Sequence, residues 1–406
     1  MLVTRDLIPK LTDAGARFPA ITVTGPRQSG KSTLCRMAFP DLPHINLESL
    51  DTRRGAVDDP IGFLDRFPRG AVLDEVQRAP ELLSYLQVRI DEDRMRAQGI
   101  GSNSTTDSPP SSRLWILTGS FNFALLSTIS QSLAGRTAVH QLLPLSWNEI
   151  AQTARVPATL DEAILAGGYP APFDLGLAPA EWIESYVTTY VERDARELVA
   201  IHNLQQFHNF ITLCAGRTSQ LLNLTSLGGD TGVVQSTARA WLGILETLYI
   251  THRLTPWFVN VGKRLVKSPK LHFIDTGIAS WLLGIRSPEA LRSHPLRGAL
   301  FESWVAGEIL KHRLHRGERR PIHHYRDSSG LEADILIDHG TRRTVVEAKA
   351  AKTISEDAIA STRRVAGAIG DAFPSRRVVV YGGDERQRRN DVDVVPWREI
   401  HSVDWV

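Results

Sequence analysis

The clearest chemical pattern in the sequence is a glycine-containing loop that ends in a lysine and a hydroxyl. Residues 25–32 read GPRQSGKS, which matches G-x-x-x-x-G-K-S. With the threonine that follows, the candidate binding residues are Gly25, Pro26, Arg27, Gln28, Ser29, Gly30, Lys31, Ser32 and Thr33. Glycines let backbone N–H groups surround phosphates, and a lysine adds positive charge there. The loop therefore predicts nucleoside-triphosphate binding, with the Ser32 hydroxyl as a Mg²⁺ ligand.

Two acids farther along supply the groups that hydrolysis requires. Residues 71–75 read AVLDE, an apolar run that ends in Asp74 and Glu75. Asp74 is predicted to hold the Mg²⁺ shell, and Glu75 to orient or deprotonate the attacking water. Taken alone, such a run is more often the end of a strand or helix. Its position downstream of the phosphate loop favours the catalytic interpretation.

Two further motifs follow another apolar run, LWIL at 114–117. Ser120, or else Asn122, is predicted to sense the γ-phosphate, because strand ends of parallel sheets converge on the ligand crevice. The alternative for Ser120 is an ordinary helix cap. Arg136 follows a glycine and has two interpretations. It is either a solvated surface residue or an arginine that acts in trans on the nucleotide of a neighbouring copy.

Short apolar strands precede these motifs and must position them. The runs AITVT (20–24), HINL (44–47), AVL (71–73) and LWIL alternate with helix-compatible segments. That alternation predicts a parallel α/β sheet covered by helices on both faces. Residues 98–113 are dominated by Gly, Ser, Thr, Asn and Pro. This composition buries little apolar surface and predicts a mobile surface loop.

The middle of the chain is predicted to be mainly helical. Residues 221–248 suggest a helix, a turn at 228–230 and a longer helix, followed by a β wing. Candidates for reading base edges open the second helix: Gln235, Ser236, Thr237 and Arg239. Candidates for contacting phosphates lie later: Lys263, Arg264, Lys267 and Lys270. The alternative is a module that packs against protein or acts as a spacer.

A second group of acids lies near the C-terminus. Glu302 falls on an amphipathic helix, Asp334 in a strand-like run, and Glu347 and Lys349 on one face of a third run. This αβββ order, with E-x-K, resembles the PD-(D/E)xK nuclease fold. Carboxylates beside a lysine suit Mg²⁺, here through Asp334 and Glu347. The alternative is a nuclease-like fold that only binds. The nearby cations His323, His324 and Arg326 either touch phosphate or lie on the surface.

Several segments together resemble the AAA-family ATPases of bacteria and archaea that carry a C-terminal domain of unknown function. These segments are residues 25–33, 73–87, 117–150, 167–170, 190–201 and 268–284. The resemblance implies an AAA-type ATPase domain, a winged-helix-like segment and a nuclease-like domain. It also implies ATP as the nucleotide and Arg136 as an arginine finger. We expect boundaries at 1–155, 156–285 and 286–406.

Size and composition restrict the class of protein. The chain has 406 residues, 42% of them apolar, which is enough for two or three cores. Its formal net charge is +2, so any nucleic-acid surface must be local. Two cysteines, Cys35 and Cys214, exclude a disulfide framework and a cysteine-based zinc site. We expect a cytoplasmic protein without membrane segments, because no apolar run approaches about 20 residues.

Two functions remain open at this stage. The first is an ATP- and Mg²⁺-dependent protein that processes DNA with an attached metal-dependent nuclease, as a homo-oligomer if Arg136 acts in trans. The second is an ATP-driven switch or scaffold for a protein partner, in which the C-terminal fold does no chemistry. A small-molecule kinase would share the phosphate loop, but the sequence shows no acceptor pocket.

Overall fold

A computed structural model describes residues 3–98, 113–120, 132–191, 195, 203–258, 268–370 and 374–406. These residues form two compact units. The first contains residues 4–143 and 314–317, and the second contains residue 3 with 144–313 and 318–406. The predicted loop at 98–113 lies almost wholly outside the described residues, as do Asn122, Lys263, Arg264 and Lys267.

The first unit is built on a sheet whose strands all run parallel. Its strands are β1 Ala20–Thr24, β2 His44–Asn46, β3 Val72–Asp74, β4 Trp115–Gly119 and β5 Thr137–Gln141. Their spatial order is β2-β3-β4-β1-β5. Because all strands point the same way, the ends of β1, β3 and β4 meet at one carboxyl edge, which is where ligands bind in such sheets.

Helices flank this sheet. They are α1 Ile8–Gly15, α2 Lys31–Ala38, α3 Leu50–Asp58, α4 Pro60–Asp65 and α5 Leu82–Ala97, with a 3₁₀ turn at Val76–Arg78. Alternate residues of one strand enter different cores: Ile116 packs with Ile21 and Leu34, whereas Leu117 packs with Leu86. Apolar side chains on both faces explain why every residue of β1 and β4 is buried. The predicted parallel α/β architecture is confirmed.

The second unit begins with helices and ends in a large sheet. Its helices are α6 Trp147–Ile150, α7 Leu160–Ala166, α8 Pro170–Leu175, α9 Pro179–Tyr186, α10 Leu204–Gly216, α11 Leu224–Thr231, α12 Gln235–Thr247, α13 Thr276–Leu282, α14 Pro288–Ser293, α15 Arg297–His315 and α16 Glu356–Ala368, with a π-helix at Val187–Val191 and a 3₁₀ turn at Trp397–Ser402. Its strands are β6 Gln220–Leu221, β7 Thr251–Pro256, β8 Lys270–Phe273, β9 Ile322–Arg326, β10 Glu332–Asp338, β11 Arg343–Lys349, β12 Ser375–Tyr381, β13 Gln387–Arg389 and β14 Val392–Pro396.

The strands of the second unit form one continuous mixed sheet. The order is β13-β14-β12-β11-β10-β9-β7-β8-β6. The parallel pairing of β7 with β9 joins the small antiparallel sheet of the middle segment to the C-terminal strands. The C-terminal αβββ order, α15 followed by β9, β10 and β11, agrees with the sequence-based expectation. The later strands β12 to β14 were not predicted.

One predicted turn is wrong. The glycines at 228 and 229 lie inside α11, and the chain turns at Gly232, where φ is 71°. Asn223 caps the start of α11 by accepting a hydrogen bond from the Ser226 N–H at 3.0 Å. Near the helix end, the Thr231 hydroxyl donates to the Leu227 carbonyl at 2.7 Å. Local hydrogen bonds at both ends therefore compensate for the low helix propensity of the glycines.

In the part of the chain that the structure describes, no helix has the length and apolar character needed to cross a membrane.

Candidate functional site

The phosphate loop connects the buried strand β1 to α2 and requires glycine at two positions. Gly25 has a φ of 151°, and a Cβ there would lie 2.0 Å from the Leu142 carbonyl oxygen. Gly30 has a φ of 92° and immediately precedes α2. Gln28 also has a positive φ, 59°. These conformations bend the backbone so that the loop and the N-terminus of α2 can present N–H groups to an anion.

Lys31 lies under this loop. Its side chain is almost fully buried, and its Nζ donates to the carbonyl oxygens of Gly25 at 3.0 Å and Pro26 at 2.7 Å. Burial lowers the pKa of Lys31 to about 8, although Glu75 and Asp74 act in the opposite direction. A phosphate would favour the charged ammonium and raise that pKa again. Lys31 is thus placed to neutralise a ligand that carries negative charge.

Asp74 links the loop to the neighbouring strands. The Ser32 hydroxyl donates to one Asp74 carboxylate oxygen at 2.6 Å, and the Thr118 hydroxyl donates to the other. Ser32 and Asp74 are the residues predicted to hold Mg²⁺, and the structure brings them into direct contact. A hydroxyl and a carboxylate are hard oxygen donors, and Mg²⁺ typically keeps several waters besides such ligands. This donor set fits the ion.

Glu75 has a backbone conformation that is unusual for its residue type. Its φ is 57°, in the left-handed region, at the junction between β3 and the 3₁₀ turn. One carboxylate oxygen accepts a hydrogen bond from the Ser120 hydroxyl at 2.8 Å, and the other accepts from the Gln77 amide. Strained backbone of this kind persists where surrounding contacts enforce it, often at functional sites. The predicted water-activating group and the predicted sensor are therefore in contact.

The remaining predicted residues of the loop differ in exposure. Ser29 is fully buried, and its hydroxyl oxygen has no hydrogen-bond partner in this structure. Gln28 and Thr33 are exposed, whereas Arg27 is half-buried. An unsatisfied buried hydroxyl is costly unless a ligand or water satisfies it. Ser29 is thus a second reason to expect a polar ligand inside the loop.

Sequence reasoning missed two residues that shape this site. Arg5 is almost fully buried and donates to the Ser29 carbonyl at 2.7 Å and to the Leu143 carbonyl at 2.8 Å. Thr118, besides bonding Asp74, accepts a hydrogen bond from the Glu75 N–H at 3.4 Å. The position of Thr118 at the end of a strand was a usable signal for its role. Nothing local in the sequence identifies Arg5.

Arg136 lies at the amino-terminal ends of the parallel strands, whereas the phosphate loop lies at their carboxyl ends. It directly precedes β5, whose first residue is in register with the first residue of β1. The phosphate loop follows the last residue of β1. About five strand residues, or about 16 Å along the strand, therefore separate Arg136 from the level of the loop. Two guanidinium nitrogens of Arg136 each bind an Asp91 carboxylate oxygen at 2.7 Å. That hydrogen bonding raises the pKa of Arg136 and lowers the pKa of Asp91.

The C-terminal acids converge within the second unit. Glu302 lies on α15, Asp334 on β10, and Glu347 and Lys349 on β11. A bulge in the β9–β10 pairing falls between Ala333 and Leu336 and so includes Asp334. Bulges re-aim side chains and are frequent next to functional sites. One Asp334 oxygen accepts from the Ala348 N–H at 2.9 Å, and Lys349 donates to Glu347 at 2.6 Å.

An unexpected lysine lies among these carboxylates. The Lys270 Nζ is 2.9 Å from Glu302, 2.5 Å from Glu332 and 3.5 Å from Asp334. Lys270 was a candidate for contacting phosphates, and this is wrong, because the residue is only 3% exposed. Burial alone would lower the pKa of Lys270, but the attraction of the three carboxylates outweighs it and raises that pKa. Lys270 is therefore a buried cation.

Negative charge is in excess at this C-terminal centre. Burial, and then the Asp334 carboxylate, raise the pKa of Glu302 well above its usual value. The same two causes raise the pKa of Glu347 to about 7. The acids that would coordinate a divalent ion are, however, directed at an ammonium group. As arranged in this structure, the donor set does not fit Mg²⁺, and we derive no catalytic step from such an ion.

The three basic residues nearby, His323, His324 and Arg326, have different surroundings. His324 is only 1% exposed, so a phosphate in solution cannot reach it, and burial lowers its pKa to about 4. The His323 ring nitrogen is 3.0 Å from the Thr255 hydroxyl. Arg326 is partly exposed and lies 3.6 Å from Glu332. The suggestion that His324 contacts phosphate is therefore wrong.

Comparison with protein families divides the chain into three matched stretches. An AAA domain matches residues 17–151. Two domains of unknown function, DUF8612 and DUF4143, match residues 157–289 and 297–400. Together with the parallel sheet and the phosphate loop, the first of these matches identifies residues 17–151 as an AAA-like P-loop domain.

Relatives along the whole chain are known from mycobacteria. The uncharacterized proteins Rv2008c of Mycobacterium tuberculosis and Mb2031c of Mycobacterium bovis are each 30% identical to it over 98% of this chain and 85% of their own length. The chain belongs to the family of these two proteins. Among solved structures, the Walker-type ATPase PABY2304 of Pyrococcus abyssi is 15% identical, with a TM-score of 0.44 over 70% of this chain and 98% of that one. A TM-score this low supports no inference about function.

Proposed function

We propose that the chain hydrolyses Mg²⁺-bound ATP at the phosphate loop. A continuous row of hydrogen bonds supports this proposal. It connects Ser32 to Asp74, Asp74 to Thr118, Thr118 to the Glu75 backbone, and the Glu75 carboxylate to Ser120. The choice of ATP over other nucleotides follows from the resemblance to AAA-family ATPases.

In the proposed mechanism each residue has a distinct task. Lys31 neutralises charge on the β- and γ-phosphates, while the loop amides hold the phosphate oxygens in place. Ser32 and Asp74 would hold Mg²⁺, which when bound withdraws charge from the phosphate oxygens. Each Glu75 carboxylate oxygen accepts one hydrogen bond from protein and keeps a lone pair that can take a proton from water. Ser120 fixes the direction of that carboxylate.

Two substitutions test these roles. Glu75→Gln should retain ATP binding and lose turnover by at least about a hundredfold, which is the range of general-base contributions. Lys31→Ala should lose tight nucleotide binding. Glu81→Gln removes an exposed acid from the same segment and should hydrolyse ATP at the wild-type rate. Normal turnover in Glu75→Gln would show that another group activates the water.

We further propose that Arg136 acts on the nucleotide of a second copy, so that a homo-oligomer is the active form. The position of Arg136 supports this, because it lies at the sheet edge opposite its own phosphate loop. Arg136 of a neighbouring copy could stabilise the negative charge that develops on the phosphates during phosphoryl transfer. The competing role is a purely structural ion pair with Asp91.

Mixing two inactive variants separates these roles. Arg136→Ala keeps an intact nucleotide site, and Lys31→Ala keeps an intact arginine. If the arginine acts in trans, the mixture should hydrolyse ATP faster than either variant alone. If Arg136 only pairs with Asp91, the mixture should show no gain, and Asp91→Asn should reproduce the effect of Arg136→Ala.

We propose that the middle segment binds DNA. The order helix, strand, helix, helix, strand, strand from α10 to β8 is that of a winged helix, which supports this proposal. The candidate reading residues Gln235, Ser236 and Arg239 are exposed at the start of α12. Charge reversal at Arg239, and separately at Lys263 and Arg264, should weaken DNA binding and reduce its dependence on salt. Unchanged affinity in both variants would favour a packing or spacer role.

For the C-terminal domain we propose a nuclease-like centre formed by Glu302, Asp334, Glu347 and Lys349. Their convergence around the αβββ frame supports this proposal. Because Lys270 contacts these acids in this structure, the test uses Lys270→Met as the background. Plasmid cleavage in Mg²⁺ that is lost on adding Lys349→Ala but retained on adding Lys31→Ala would agree with the proposal. If no DNA or RNA is cleaved, the alternative holds: an ATP-driven switch or scaffold with a silent C-terminal domain. The three functional segments proposed are 1–155, 156–285 and 286–406.

A further inference from the structure

The cation in the C-terminal centre comes from a different segment than the acids around it. Lys270 is the first residue of β8, which pairs with β6 and β7 of the middle segment. Glu302 belongs to α15, and Glu332 and Asp334 belong to β10. The small antiparallel sheet therefore delivers an ammonium group into the carboxylates of the C-terminal domain.

The Lys270 ammonium is surrounded by carboxylates, as a bound metal ion would be. Its three carboxylate partners lie between 2.5 and 3.5 Å away, and the lysine side chain is 4% exposed. An ammonium has three donors, which equals the number of acidic partners. By comparison, Lys311 is another buried lysine of this unit, and its Nζ donates to the Glu308 carboxylate at 2.8 Å and to the Leu145 carbonyl at 2.9 Å.

A divalent ion and this ammonium would compete for the same oxygens. Mg²⁺ binds carboxylate oxygens at about 2.1 Å and requires a nearly octahedral arrangement. Oxygens that already converge on the Lys270 nitrogen cannot satisfy that arrangement at the same time. Because the lysine is part of the chain, its effective concentration at the centre is high, on the order of millimolar or more. The lysine and a divalent ion therefore cannot occupy these oxygens together.

We propose that Lys270 is a built-in cation that takes the place of the divalent ion and holds the C-terminal centre metal-free. The inference rests on the proposed nuclease-like centre: a divalent ion is excluded from that centre while the Lys270 ammonium contacts Glu302 and Asp334.

Binding of Mn²⁺, followed by electron paramagnetic resonance of the free ion, tests this inference. All proteins are full-length, nucleotide-free and carry Asp74→Asn, which removes a ligand of the phosphate-loop site. Lys270→Met should bind one Mn²⁺ at least about tenfold more tightly than the parent that retains Lys270. Lys311→Met, the matched loss of a buried lysine, should behave like the parent.

The possible outcomes separate this inference from the proposed centre. If the parent binds Mn²⁺ as tightly as Lys270→Met, and Asp334→Asn abolishes that binding, the centre holds metal and the role of Lys270 is refuted. If neither protein binds Mn²⁺, both the metal centre and the inference are refuted. If Lys270→Met is unfolded without metal, recovery of a cooperative thermal transition on adding Mn²⁺ supports the inference. The same recovery is checked in Lys270→Gln. Unfolding that Mn²⁺ does not reverse overturns it.

Discussion

ATP affinity should fall as the pH rises through 8, because the buried Lys31 ammonium then loses its proton. With a pKa of about 8 in the free protein, roughly nine-tenths of Lys31 is charged at pH 7 and roughly one-tenth at pH 9. Bound phosphates attract the charge and raise this pKa, so binding above pH 8 takes up a proton. The affinity should therefore drop about tenfold between pH 7 and 9, or about 1.4 kcal/mol.

Calorimetric titration of Mg·ATP at pH 7, 8 and 9, in buffers of different ionisation enthalpy, measures both the affinity and the proton uptake. Lys10→Ala removes an exposed lysine and should keep the full pH dependence. Residual binding in Lys31→Ala should show no such dependence. An affinity for wild type that is constant from pH 7 to 9, without proton uptake, would refute the buried position of the ammonium.

Three further substitutions have distinct expected effects. Gly25→Ala should abolish ATP binding, because its Cβ would lie 2.0 Å from the Leu142 carbonyl oxygen, and normal binding would contradict the loop geometry. Thr118→Val should lower turnover by roughly 10- to 150-fold, since a hydrogen bond to the Asp74 carboxylate contributes about 1.5–3 kcal/mol, whereas Thr118→Ser should retain activity. Asp161→Asn should lower the free energy of unfolding, measured by urea denaturation, by about 1–3 kcal/mol, because this buried carboxylate accepts hydrogen bonds from two arginines. An unchanged urea midpoint would contradict that contribution.

The candidate nucleotide site could be predicted from local sequence. A strand, a glycine loop and a helix follow one another within residues 20–38, as the spacing predicts, and Lys31 and Ser32 begin that helix. Contacts between distant residues could not be predicted in this way. Arg5 reaches a carbonyl 24 positions away, and no periodicity or motif signals that contact.

The C-terminal centre shows the same limit more strongly. Its acids were predicted from strand alternation and the order of elements, both of which are local patterns. Lys270 was interpreted as a candidate for contacting phosphates because basic residues cluster near it in the sequence. The pairing of β7 with β9 joins two sheets and buries that lysine among carboxylates, and only tertiary structure determines this. Glu332 was missed as a member for the same reason.

The most direct test of the central claim is a calorimetric titration of Mg·ATP into the full-length protein at pH 7, with folding verified by circular dichroism. The account predicts one nucleotide per chain, and Lys31→Ala should abolish the heat of binding. A folded wild-type protein that gives no heat with Mg·ATP, or a Lys31→Ala variant that binds as tightly as wild type, would contradict it.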